Sequence, residues 1–212
     1  AQYQDALADD RAFQKRYKFP VELKISRKKT ITIEADEGVT ETNAEGLEKL
    51  SPVMPDGVHT FVSQTHPADG QSAITVTTRE KAAELSEDAN VSIQVMSYGY
   101  ARTKKAHMAM AVAPASQMAL DGANIKAGDL SAVKTHNPFA SNDLYLAKTI
   151  GLDVETMNNY GSSLIFGHPQ GPTFARLTME GIEELALKGG GYLLVAGCAA
   201  GDTAAAIVLK VG

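Results

Sequence analysis

A single cysteine, Cys198, rules out an intramolecular disulfide, so the 212-residue chain does not read as a disulfide-stapled secreted domain. No uninterrupted apolar run is long enough to span a bilayer. No charged n-region followed by an apolar stretch opens the sequence, and a cytoplasmic location is the default expectation. Basic residues are not in excess either. The formal net charge is -5 and the pI is near 5.5. The basic runs, Arg27-Lys28-Lys29 and Lys104-Lys105, are short enough to be solvated turns. The electrostatic footprint of a nucleic-acid binder is therefore missing. His59, His66 and His107 show no ligand-like pairing, so no metal site is expected. No phosphate loop, dinucleotide fingerprint or nucleophile elbow occurs.

What is present is an ordinary globular composition. Hydrophobic residues make up 44% and charged residues 21%, which with the low net charge argues against disorder over most of the length. One large domain or two small ones would fit. The sequence begins at Ala1, and residues 1–18 are charged and loosely helical in spacing. A chain cut from a longer one would look like this, and so would a processed natural start.

Pro20 breaks that segment. Residues 21–25 and 30–34 then alternate apolar and polar around the basic run, which predicts a hairpin. A short helix is expected at 43–50 and a loop at 51–57, where Pro52, Pro55 and Gly57 cluster. Strands are expected at 60–63 and 73–78, a helix at 79–85 and a strand at 91–100. The pattern continues with a helix start at 114–120, a strand at 132–135 and a helix at 139–150 capped by Gly151. A long helix at 172–188 ends at Gly189-Gly190-Gly191, and two apolar strands, 192–197 and 204–211, close the chain. Strands alternating with helices and ending in two adjacent strands predict an α/β fold with a mixed sheet.

Three positions carry chemistry. Cys198 lies on the turn between the last two strands, flanked by small residues that allow close approach. A buried small hydrophobe and a thiol acting as nucleophile or acid/base both fit that setting. His168 sits in Gly167-His168-Pro169-Gln170-Gly171, immediately before the long helix. A His held there can donate to a developing oxyanion or to a thiolate, or can simply cap the helix. His136 opens His136-Asn137-Pro138-Phe139 at a strand end, where α/β folds commonly hold site residues. Asn137 could equally cap the following helix, with Pro138 at its first position. Asn158, Asn159 and Tyr160 either line a site or build a turn.

Taken in order, these segments resemble the thiolase family. Asn158 to Pro169, then Gly171 and Arg176, is similar to the family's Asn-x-x-Gly-Gly…Gly-His-Pro-x-Gly…Arg signature. The Cys198 turn resembles that of the second catalytic cysteine, and His136-Asn137-Pro138-Phe139 falls where thiolases carry Asn-Glu-Ala-Phe or a His-containing variant. Ser63 to Gly70 resembles the Asn-Ala-Ser…Asp-Gly segment. The resemblance runs from about Pro20 to Val211. It departs at Ala199-Ala200-Gly201, where the family has x-Gly-Gly, and at Tyr160 and Ser162.

The resemblance implies half of a thiolase-like fold, with helices on both faces of a mixed sheet. Residues 1–19 would be a helical segment continuing from an N-terminal half, and residues 20–212 the C-terminal domain. It implies acyl transfer between coenzyme A thioesters, with acyl-CoA and CoA as ligands and no further cofactor. His168, Cys198 and His136 would be catalytic, and Asn137, Phe139, Tyr160, Gly167 and Gly201 would bind substrate. The family's acyl-accepting Cys lies in the N-terminal half, so a second, Cys-bearing half is an expected partner. A homo-oligomer is implied as well. The divergent pocket is similar to that of thiolases of anaerobic or aromatic-compound degradation, which by analogy suggests a small zinc-ribbon/OB-fold partner. Two other readings remain: a non-catalytic module that binds CoA esters or assembles with a partner, and a ketoacyl-synthase relative. The late Cys and the Gly-His-Pro block suit thiolase better than the synthase.

Overall fold

The computed structural model describes residues 2–39 and 43–212. Ala1, in the expected N-terminal segment, lies outside them. In chain order the elements are α1 (Gln2–Arg11), β1 (Val21–Ser26), β2 (Lys29–Ile33), α2 (Ala44–Glu48), α3 (Arg79–Leu85), β3 (Ile93–Arg102), α4 (Val112–Ala123), β4 (Leu130–His136), α5 (Ala140–Ile150), α6 (Ser163–Phe166), α7 (Pro172–Lys188), β5 (Gly191–Ala199) and β6 (Thr203–Val211). Helix α1 is interrupted at Ala8–Asp10, where the backbone leaves helical dihedrals.

Two sheets form among the described residues. β1 and β2 pair as the expected antiparallel hairpin. The main sheet has the order β3-β6-β5-β4, with β4 and β5 parallel and β6 antiparallel to both its neighbours. It is mixed because β5 and β6 are joined by a tight turn, whereas β4 reaches β5 by a crossover containing α5, α6 and α7.

Alternation along the strands builds a core on each face. Leu194, Ala196, Val208 and Val133 face the cluster under α4 and α5. Leu193, Val195, Leu209 and Ala132 face Leu177 and Leu185 of α7. The helices thus lie on both faces of the sheet. Glycine sets how closely α4 and α7 approach. A Cβ on Gly99 of β3 would fall 2.1 Å from the Ala115 carbonyl oxygen in α4, and one on Gly181 of α7 would meet Leu193 at 2.5 Å. Among the described residues no helix is long and apolar enough to cross a membrane.

Two expected strands differ. Residues 61–63 form a 3-10 turn, because Thr60 and Ser63 satisfy each other's backbone and side chain in a local capping box. Residues 73–78 join no ladder among the described residues, and Ile74 and Val76 are 42% and 79% exposed.

Candidate active site

β4 and β5 run parallel, so their C-terminal ends deliver His136 and Cys198 to the same edge of the sheet, with His136 paired to Gly197. Gly197 lets the two strands bring these side chains together. A Cβ there would lie 2.9 Å from that of His136 and 3.7 Å from the Phe174 ring. The segment from Gly167 to Gly171 turns into α7, whose first residue is Pro172 with its pre-set φ. That turn places the His168 ring on the His136 ring, with centroids 4.0 Å apart and an interplanar angle of 25°. His136, His168 and Cys198 line one cleft of about 780 Å³, together with Tyr100, Phe174 and Gln170.

Each imidazole is held through one nitrogen. His136 Nδ1 lies 2.8 Å from the Ser163 hydroxyl, and His168 Nδ1 lies 2.7 Å from that of Thr173. A hydroxyl can donate or accept, so either tautomer is supported at both rings and Nε2 is left for a ligand. The His168 turn is anchored from outside. Its backbone N–H donates to the His66 carbonyl at 2.8 Å, and Gly167, at φ +79°, sits where a Cβ would be 2.8 Å from both Ala68 and the His66 carbonyl. Thr65 donates to the Pro138 carbonyl at 2.8 Å from its backbone and to that of Ser163 at 2.6 Å from its hydroxyl. The 65–68 segment thereby ties the two histidine loops together.

Burial, and secondarily the neighbouring His168, pushes the His136 pKa down from 6.5 to about 4. Burial also lowers His168. Both rings are therefore neutral at physiological pH. Burial raises the Cys198 pKa, opposed by its own backbone N–H and by the Asn142 amide, whose Nδ2 is 3.5 Å from the sulfur. The group rests as a thiol.

The other residues singled out from the sequence lie off the cleft wall. Asn137 does not cap α5. Its amide donates to Asp143 at 2.5 Å and its Oδ1 accepts from Leu164 N–H at 3.3 Å, while Phe139 takes the N-cap position. Phe139 packs its ring 5.0 Å from that of His59. The Tyr160 ring stacks on Phe13 at 3.5 Å instead of bordering the cleft. Gly167 shapes the His168 turn from behind, and Gly201, at φ +83°, belongs to the β5–β6 turn. Asn158 builds a turn: its side chain accepts from Thr135 N–H at 2.7 Å and donates to Asp143 at 3.0 Å. Asp143 thus gathers Thr135, Asn137 and Asn158 behind His136.

Sequence reasoning did not find Ser163, Thr173 or Asn142. Thr173 could have been found as the hydroxyl residue one step inside the helix that follows the His168 turn. Asn142 shares the inner face of α5 with Leu146 at i+4, a spacing that marks it as inward-facing. The described residues contain no group of three or more His, Cys, Asp or Glu that could hold a metal ion.

A family model described as "Thiolase, C-terminal domain" matches residues 89–211. The chain is similar to the 3-ketoacyl-CoA thiolase of Pseudoalteromonas translucida, at 32% identity over 198 residues, covering 84% of this chain and 45% of that protein. It is also similar to the Beta-ketothiolase BktB of Cupriavidus necator, at 28% over 185 residues, covering 87% and 47%. The chain thus spans about half the length of the curated relatives it matches. Among solved structures, the acetyl-CoA acetyltransferase of Bacillus anthracis superposes with a TM-score of 0.84 at 23% identity, covering all of this chain and 53% of that one. Human mitochondrial 3-ketoacyl-CoA thiolase superposes with a TM-score of 0.83, again at 23% identity, with 100% and 53% covered. At that identity the superpositions speak for the fold.

Proposed function

The chain belongs to the thiolase family, and from that premise we propose that it is the C-terminal catalytic half of a thiolase, cleaving 3-oxoacyl-CoA with CoA or running the reverse condensation. The observation that carries this reading is the convergence of Cys198 and the stacked His136–His168 pair on one largely apolar cleft. A relative named for 3-ketoacyl-CoA supports the substrate class.

In this reading a Cys supplied by an N-terminal half gives its proton to His168 Nε2 and attacks the 3-oxo carbonyl of the substrate, forming a tetrahedral oxyanion to which His168 donates a hydrogen bond. Breaking the bond between C2 and C3 leaves the acyl group as a thioester on that Cys and releases the enolate of acetyl-CoA. The Cys198 thiol, kept protonated by burial, gives that enolate its proton. His136, neutral because of its depressed pKa, donates from Nε2 to the enolate oxygen. The CoA thiol then gives its proton to the Cys198 thiolate and takes the acyl group from the thioester, and the freed first Cys recovers its proton from His168. The single cysteine of this chain is Cys198, so the acyl-accepting thiol must come from elsewhere. An oligomer assembled with that half is part of the proposal.

The experiment is thiolysis by the assembled enzyme. One oxyanion donor is typically worth ~10²–10³ in rate, so His168→Ala is expected to lose at least that factor. Cys198→Ala is expected to leave little turnover. Near-unchanged thiolysis by either variant would refute the assignment.

A further inference from the structure

Among the described residues, the side chain that hydrogen-bonds the Cys198 sulfur is Asn142, in the first turn of α5. Asn142 is only 2% exposed, yet the far end of its amide, Oδ1, is buried without a hydrogen-bond partner. A buried asparagine is normally fixed by bonds at both ends, because an unsatisfied amide group is costly. Asn158, a short distance away, shows that arrangement, with its oxygen on Thr135 N–H and its nitrogen on Asp143. Asn142 lacks the second anchor, so nothing locks which end of its amide meets the sulfur. An amide offers a donor and an acceptor of nearly the same shape.

The other ionisable groups about the sulfur are His136 from β4, His168 from the turn before α7, and Tyr100 and Arg102 from β3, all on the cleft wall. Asp143, beside Asn142 on α5, directs its carboxylate away to Thr135, Asn137 and Asn158. Asp202 in the β5–β6 turn accepts from the His107 N–H at 3.1 Å. No carboxylate among the described residues competes with Asn142 for the sulfur.

We propose that Asn142 is a positioning residue for Cys198 that serves both protonation states: its Nδ2–H donates to the thiolate, and after the amide turns over its Oδ1 accepts from the thiol S–H. The inference deepens the thiolase reading, in which Cys198 gives up and recovers a proton in each turnover, and rests on that reading for its purpose. Its test does not depend on turnover. Cys198 is the chain's single cysteine, so iodoacetamide labelling followed by intact mass reports on it alone.

The labelling rate is measured against pH for the full chain and for Asn142→Leu and Asn142→Asp. Leucine removes the donor, and the labelling midpoint is expected to rise by about one pKa unit, a ten-fold smaller thiolate fraction at fixed pH. Aspartate keeps an acceptor for the thiol but repels the thiolate, and raises the midpoint further. Midpoints equal to that of the unsubstituted chain in both folded variants would overturn the proposal. A second measurement needs no variant of Asn142. In the unsubstituted chain the Asn142 side-chain amide resonances should move with the same midpoint as labelling, and flat resonances through that midpoint would overturn the proposal as well. Because the readout is the thiol's titration, this inference can fail while the thiolase reading stands, and the reverse.

Discussion

His136 is 7% exposed, and burial together with the adjacent His168 ring holds its pKa at about 4, against 6.5 for an ordinary imidazole. The folded chain therefore resists a proton that the unfolded chain accepts. The stability tied to neutral His136 is fully present above pH 6.5 and is lost as pH falls toward the folded value. Integrating between those two pKa values gives a loss of about 2 kcal/mol near pH 5, rising to about 3 kcal/mol well below pH 4. Urea unfolding of the chain and of His136→Asn, each at about pH 7.5 and about pH 5, measures it. The lowered pKa of His168 acts in the same direction. The pKa of Asp143, raised mainly by burial, acts in the opposite one, adding stability as pH falls. Both groups remain in the variant, so the difference between the two chains isolates His136. The unsubstituted chain should lose about 2 kcal/mol more than the variant on acidification. Equal losses would show that His136 is not the neutral, desolvated group described here.

Gly99→Ala drives a Cβ onto the α4 backbone, 2.1 Å from the Ala115 carbonyl oxygen and 2.7 Å from the Ala119 nitrogen. A loss of about 3 kcal/mol in urea unfolding is expected, and a variant as stable as the parent would contradict the packing. Lys134 is fully buried and sits 2.9 Å from both Glu180 and Glu184. Lys134→Met should cost about 3–5 kcal/mol by stranding buried carboxylates, and adding Glu180→Met should restore part of that stability. A single variant within about 1 kcal/mol of the parent would argue against the buried triad. Thr173→Val removes the hydroxyl from His168 Nδ1. In the assembled enzyme it should lower kcat more than it raises KM, and unchanged kcat would show that the contact does not position the ring.

The parts of the fold that were legible in the sequence are those whose pattern is local. The last two strands declare themselves as apolar runs around a turn of small residues, and the Gly-His-Pro block announces a shaped turn before a helix. Residues 73–78 alternate as a strand should, but a strand also needs a neighbour, and none is provided among the described residues. Residues 60–63 looked extended, yet Thr60 and Ser63 can satisfy each other within three residues, and that local solution wins. The buried polar groups were the least legible. Lys and Glu are rarely fully buried unless paired, and only the crossover from β4 to α7 brings the charges of Lys134, Glu180 and Glu184 together. Tyr160 was expected in the acyl pocket by family position. Its ring is claimed instead by Phe13, a contact across most of the chain that no local pattern encodes.

In the proposed thiolase reaction His168 and Cys198 move protons, and the acyl-accepting cysteine lies outside these residues. The most direct test is CoA-dependent cleavage of a 3-oxoacyl-CoA by natively purified protein, with the polypeptides in the active fraction identified by denaturing intact mass. Activity is expected to travel with a second cysteine-bearing thiolase half, whether separate or continuous with this chain, and to disappear in Cys198→Ala. Thiolysis by a fraction containing these 212 residues alone would contradict that expectation.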